Sequence, residues 1–270
     1  YVRESVRIVG MSTLTGYEIF RDPATGVVRT RFPTSVAVGN YAVDLHGCNT
    51  DPTLEADLRE TAAHIPPGFA MGPFQVPFEV FVPESVEGLL AAEKNLSVSR
   101  LAAGAIRLQP ITMMTGQAVG ALASVALARG ESPRAVDPLR VQWVLARTGH
   151  RLAVQTFADV PRSDDHWADV ELVAARQLMQ GYSSVAFGSA DPLLRWQGAL
   201  VLASLFEYPV TPTTTSVFTD VAGLDPVVIG AIEAIRVNGL TSGCNAAPPQ
   251  FCPTRALTRA ETAVMIAGGL

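Results

Sequence analysis

Asp44 and His46 form the first pair in this chain whose types and spacing could do chemistry. Two residues apart on a strand, their side chains share one face. The carboxylate can then fix the imidazole tautomer while the ring moves a proton. A hydrogen-bonded histidine at a strand end accounts for the same residues without chemistry. No metal spacing is evident: His46, Cys48, His64, His150 and His166 form no zinc or non-haem iron pattern. Asp164, Asp165 and Asp169 read as a solvated acidic helix start. No G-x-S-x-G occurs, so nothing marks Ser97 or Ser99 as an activated nucleophile, and a hydrolase activity is announced by no motif.

A second constellation lies in LAAGAIRLQPITMMTGQAVGALASVALARG, residues 101–130. The spacing predicts a loop carrying Gly104 and Arg107, then a helix opened by Pro110. Gly116 and Gly120 fall four apart on one helix face. Each costs roughly 1 kcal/mol against alanine inside a helix, so this face should meet a close partner. That partner is either another helix or a ligand near the helix N-terminus, where unpaired N–H groups favour anionic or electron-rich groups.

The elements that must carry these residues belong to a globular chain. Its 270 residues suffice for one large domain or two ordinary ones, and 48% are hydrophobic against 17% charged. A net charge of −5 without a basic cluster argues against nucleic acid as a partner. The longest apolar run, Ala118 to Ala128, is shorter than a membrane span. The opening YVRESVRIVG has no methionine or signal peptide and reads as the middle of a domain, so a fragment is expected. Strands are expected in residues 1–10 and 35–47, and over FQVPFEVFVP and 89–98. Helices are expected over 53–64, 138–149, 167–181 and 226–239. Cys244 and Cys252 bracket a turn-rich loop that either closes a small disulfide, implying an oxidising compartment, or carries two free thiols.

EGLLAAEKNLSVSRLAAGAIRLQPITMMTGQAVGALASVAL resembles the flavin-contacting segment of FAD-dependent oxidoreductases of the glutathione-reductase-like superfamily. Glu93 stands where that family usually has glycine, and Val119 where it has alanine. YVRESVRIVG, VAVGNYAVDLHG and FQVPFEVFVPESVEGLL extend the resemblance from residue 1 to about 150. It implies an α/β body, a mixed sheet plus helices, that lacks the G-x-G-x-x-G dinucleotide half. It further implies FAD as cofactor, with Arg107, Gly116, Gln117 and Gly120 on the cofactor side. His46 and Asp44 would be catalytic, serving hydride transfer from a small-molecule substrate. A half-body implies either a second chain that completes it or a large apolar patch.

Beyond residue 156 the parts repeat: FADV and FTDV each precede an amphipathic stretch, a later phenylalanine (Phe187, Phe251) and an arginine (Arg195, Arg259). This order resembles the S-layer homology module, with LTRAETA intact in the second copy and LRWQGAL in the first. It implies an all-α pair of modules over 156–210 and 211–270, after an oxidoreductase part over 1–155. Arg195, Arg259 and Glu261 would bind cell-wall polysaccharide, the loop between Cys244 and Cys252 resembling the module's cysteine-bearing variant. The whole would be an extracellular flavoenzyme on a bacterial surface, with a non-catalytic surface-binding or structural module as the alternative.

Overall fold

The computed structural model describes residues 6–45, 51–65 and 70–257. In chain order these hold α1 (Gly16–Ile19), β1 (Ser35–Gly39), α2 (Pro52–Asp57), β2 (Phe74–Pro77), α3 (Arg100–Ile106), α4 (Gln109–Arg129), α5 (Pro138–Arg147), α6 (Trp167–Ala175), α7 (Arg195–Leu205), α8 (Pro226–Val237), β3 (Asn245–Ala246) and β4 (Pro249–Gln250). The contacts divide them into two compact units, Tyr1–Phe187 and Gly188–Leu270.

The first unit is helical around very little sheet. β1 and β2 pair antiparallel, from Ser35 opposite Pro77 to Gly39 opposite Phe74, with an irregularity between Ser35 and Ala37. All four residues of β2 are buried. The expected strand stops there, because Pro77 offers no N–H to the ladder and Phe78–Phe81 winds into a 3-10 turn. Residues 89–98 form no strand either. Gly88 and Glu93 both have positive φ, which breaks extended pairing; what remains is an isolated bridge of Val98 with Leu14 and single bonds such as Ser97 N–H to Val80 O.

The loop expected around Gly104 is a helix. Ser99 caps α3 by accepting the Ala102 N–H, and six of its seven residues are buried. A Cβ on Gly104 would lie 3.1 Å from Asp44 O and Val43 Cγ1, so glycine lets the 43–45 backbone lie against α3. α4 follows with Pro110 in its first turn and Gly130 in the left-handed conformation at its end. At 21 residues it is long and apolar enough to cross a membrane, but Ile111, Thr115, Ala118, Leu122 and Ala126 are buried, and it packs on β1 and α5. We therefore describe it as a core helix with one uncovered face.

α5 is capped by Asp137, which accepts the Leu139 N–H, and packs on α6. The first core runs from Leu14 through Phe74, Phe81, Leu122 and Leu145 into Trp167, Leu172 and Ala175. In the second unit α7 packs on α8, whose Ile229, Ile232 and Ile235 meet Phe218, Phe251 and Leu202. Gly230 lets the Thr211 carbonyl approach; a Cβ there would stand 2.4 Å from that oxygen.

The region after residue 156 is not all-α. β3 and β4 form a hairpin closed by the Cys244–Cys252 disulfide, and Leu194 bridges Ala256 in extended pairing. Extended backbone is needed there because the loop returns to bond the start of α7: Arg195 N–H donates to Arg255 O, and Trp196 N–H to Pro253 O.

Candidate functional site

The N-terminus of α4 has no side-chain cap, since Leu108 stands at the capping position. The first N–H groups of a helix have no intrahelical acceptor, so those of Gln109 and Ile111 point outward. They open beside a cleft of about 430 Å³, walled by Val38, Leu108, Ile111 and Met114 with Asn40 at its edge. An apolar wall beside a positive helix end suits a flat, largely apolar ring with an electron-rich margin.

The expected cofactor-side residues lie in three different settings. Arg107 is mostly buried and donates to Asp44 twice, to the backbone oxygen at 2.7 Å and to Oδ2 at 3.1 Å. Gln117 lies on the exposed side of α4, with its amide 3.1 Å from His150 Nδ1. Gly116 and Gly120 face open space: a Cβ at either would meet nothing within 4 Å. Around them Met113 is 75% and Leu127 82% exposed, so this apolar face of α4 has no cover among the described residues. The expected close partner of the two glycines is not found among the described residues.

Of the expected catalytic pair, Asp44 is bound by Arg107, and His46 lies outside the described residues, as does Cys48. His150 is buried. Its Nε2 lies 2.8 Å from Val36 O, a pure acceptor, and so carries a proton, while Nδ1 lies 3.1 Å from Gln117 Oε1. Burial holds its pKa below the ordinary histidine value, which keeps the ring neutral.

Glu171 is buried and sits in α6, facing the 151–153 backbone. Its Oε1 accepts the N–H groups of Leu152 and Ala153, each at 2.7 Å, and Arg151 Nε at 3.1 Å. Burial pushes its pKa up, against the pull of these donors. A charged residue on the apolar side of a helix was the signal available in the sequence.

Farther along the chain, one arrangement occurs twice. Asp159 Oδ1 accepts the Phe187 N–H at 2.9 Å, while the rings of Phe157 and Phe187 lie 5.2 Å apart. Asp220 Oδ1 accepts the Phe251 N–H at 2.8 Å, while the rings of Phe218 and Phe251 lie 5.6 Å apart. Each aspartate thus clips a returning loop onto the phenylalanine two residues before it. Arg195 is 2% exposed; its Nε donates to Phe251 O at 2.8 Å and its guanidinium stacks 4.9 Å from the Phe251 ring. Arg259 and Glu261 lie outside the described residues. Cys244, Cys252 and Asp220 come close enough to suggest a metal set, but the two sulfurs are bonded to each other and ligate nothing.

Two family models match the chain. That of the FAD dependent oxidoreductase covers residues 1–145, and that of the S-layer homology domain covers 156–195. The first spans more than half of the 270 residues, so the chain belongs to the FAD dependent oxidoreductase family. It carries an S-layer homology domain behind that part, which points to a bacterial cell surface. No curated protein and no solved structure matches. The S-layer homology match crosses the division between the two units: α6 belongs to the first and Arg195 to the second.

Proposed function

We propose that this chain is the flavin-side part of a secreted oxidoreductase held at a bacterial cell surface. The observation that carries the reading is the uncapped N-terminus of α4, which lies within the residues that the oxidoreductase model covers and opens on a cleft with an apolar wall. These residues fit one end of FAD. Val38, Leu108 and Met114 would wall the ring, and the Ile111 N–H would meet its electron-rich edge. The exposed stripe continues along α4 through Gly116, Gln117 and Gly120, where the open space leaves room for a cofactor or for a second chain that completes the body. Bound FAD would supply a two-electron acceptor for a hydride from a substrate C–H bond.

The protein's own residues prepare that surface. Arg107 fixes Asp44 through two bonds, and His46, two residues on in the sequence, is the proposed proton carrier. His150, kept neutral, holds the Gln117 amide in place.

For the C-terminal region we propose two S-layer homology modules that bind cell-wall polysaccharide. The recurrence of the Asp–Phe clip supports a second copy beyond residue 211. Arg259 and Glu261 are the proposed contacts. Arg195, buried against Phe251, shapes the loop that leads to them. The disulfide suits an oxidising extracellular setting.

Titrating the purified chain with FAD tests the first reading. Quenched flavin fluorescence and a shifted visible band are expected. A chain that ignores FAD yet retains cell-wall polysaccharide in sedimentation would instead favour a non-catalytic surface module.

A further inference from the structure

Away from α4, the first unit holds a second cleft, of about 390 Å³, whose polar end is Glu60. Glu60 follows α2 and is 7% exposed. Its Oε1 accepts the Gly16 N–H at 2.6 Å and a short hydrogen bond from Ser99 Oγ. Ser99 Oγ has its remaining capacity engaged at the start of α3, where it accepts the Ala102 N–H. A Cβ on Gly16 would stand 3.0 Å from Glu60 Oε1 and 2.7 Å from Leu101 Cβ, so glycine is what lets the carboxyl sit against this backbone. Oε2 is different. Among the described residues it makes no hydrogen bond, yet it is not sealed in, because it is reached from the cleft that Glu60 lines. A side chain more than nine-tenths buried thus lines a cavity with one carboxyl oxygen unpaired among the described residues, a group that a ligand can meet.

The surroundings define the ligand. Ile8, Val9, Leu54, Leu58 and Val98 make most of the lining apolar. The rim charges balance: Arg7 and Arg100 against Asp51 and Glu55. Arg100 pairs with Glu55 at 2.7 Å, and Asp51 caps α2 through Thr53 and Leu54. No net charge remains to hold an ion. Thr13 Oγ1 and Ser97 Oγ, 2.8 Å apart, share one hydroxyl hydrogen and leave the other to offer to the cleft.

We propose that this cleft binds a small uncharged carbonyl compound with an apolar body, and that Glu60 in its acid form donates the hydrogen bond from Oε2 to the carbonyl oxygen. Oε1 already accepts two hydrogen bonds, which leaves the acid proton to Oε2. Burial raises the Glu60 pKa, so the donor form persists to higher pH than in an ordinary glutamate. The charges that act on it are Arg100 of α3, which favours ionisation, and Glu55 of α2, which opposes it. Asp51 and Arg7 lie farther along the cleft, and Glu18 of α1 is turned to Thr15. This site stands without the flavin reading.

The test is saturation-transfer NMR of the whole chain with cyclohexanone as probe and cyclohexylammonium as the charged comparison, from pH 5 to 9. Cyclohexanone should bind, and binding should weaken at least several-fold as pH rises through the Glu60 ionisation. Glu60→Gln keeps an acceptor at Oε1 and an N–H at the other position, so it should bind with no such pH dependence. Glu60→Ala should lose binding. Leu54→Trp fills the cleft from a half-exposed position without touching Glu60, and should also lose it. Binding that is independent of pH in the parent chain, unchanged in Leu54→Trp, or stronger for cyclohexylammonium overturns the proposal, as does absence of binding at millimolar probe.

Discussion

Glu171 lies 3.1 Å from Arg151 and joins the two halves of the first unit through it. Glu171 comes from α6, inside the S-layer homology match, whereas Arg151 follows the oxidoreductase match. Around this pair Gln75 Nε2 donates to Leu152 O and Ala175 O, and Arg176 donates to Gln142. The first helix of the surface module is thus part of the oxidoreductase core.

One consequence is that the boundary expected at residue 155 should not yield a stable piece. A chain ended at 155 loses Trp167, Val170 and Leu172 from the core and should melt without cooperativity, while one ended at 187 should melt cooperatively by circular dichroism. Glu171→Ala leaves the Leu152 and Ala153 N–H groups and Arg151 Nε without their acceptor. It should cost about 3 kcal/mol in urea unfolding.

Stability should vary with pH in two opposite ways. His150 has a folded pKa below its unfolded value, so its contribution is present above the unfolded pKa and is lost as pH falls through that value toward the folded one. Glu60 and Glu171 have raised folded values. Their contribution is full below the unfolded carboxylate pKa and is lost as pH rises through the folded values. Melting temperatures measured across pH should show both limbs, and His150→Gln should remove the first.

Glu93 adopts φ +63°, a left-handed conformation that a side chain resists. The position is exposed, so its side chain contributes little packing. Glu93→Gly should therefore stabilise the chain by about 1 kcal/mol, read as a higher urea midpoint.

Gly120→Ala should likewise stabilise α4 by about 1 kcal/mol, because a Cβ there meets nothing. Gly120→Trp should fold as well as the parent but lose FAD-dependent fluorescence quenching. Unchanged quenching would remove this face from the cofactor surface.

The disulfide closes a loop of sequence separation 8, for which chain entropy gives about 2–3 kcal/mol. Unfolding of the second unit with and without dithiothreitol should differ by that amount.

What the sequence disclosed followed from local signals. Pro110 and Gly130 bracket α4, and Asp225 with Pro226 opens α8, because caps and proline act within a few residues. The Phe-x-Asp motif was equally visible, since its spacing repeats. α3 was hidden: its stability comes from burial against residues 43–45, and Gly104 taken alone suggests a loop. The strand expected over 89–98 failed at Gly88 and Glu93, whose backbone conformations no composition reveals. Glu60 left no trace, as its partners Gly16 and Ser99 are distant in sequence and distinctive only in space.

The Asp159–Phe187 clip also gives the chain a mechanical property. A pull arriving from beyond residue 187 passes across the clip to Asp159 and Phe157, which relieves the segment between Asp159 and Phe187 while it holds. When it opens, α6 still holds the segment, because Trp167, Leu172 and Ala175 stay packed in the first core. α6 and its buried carboxylate are thereby held twice against a pull from the C-terminal side, once by the clip at Phe187 and once by the core.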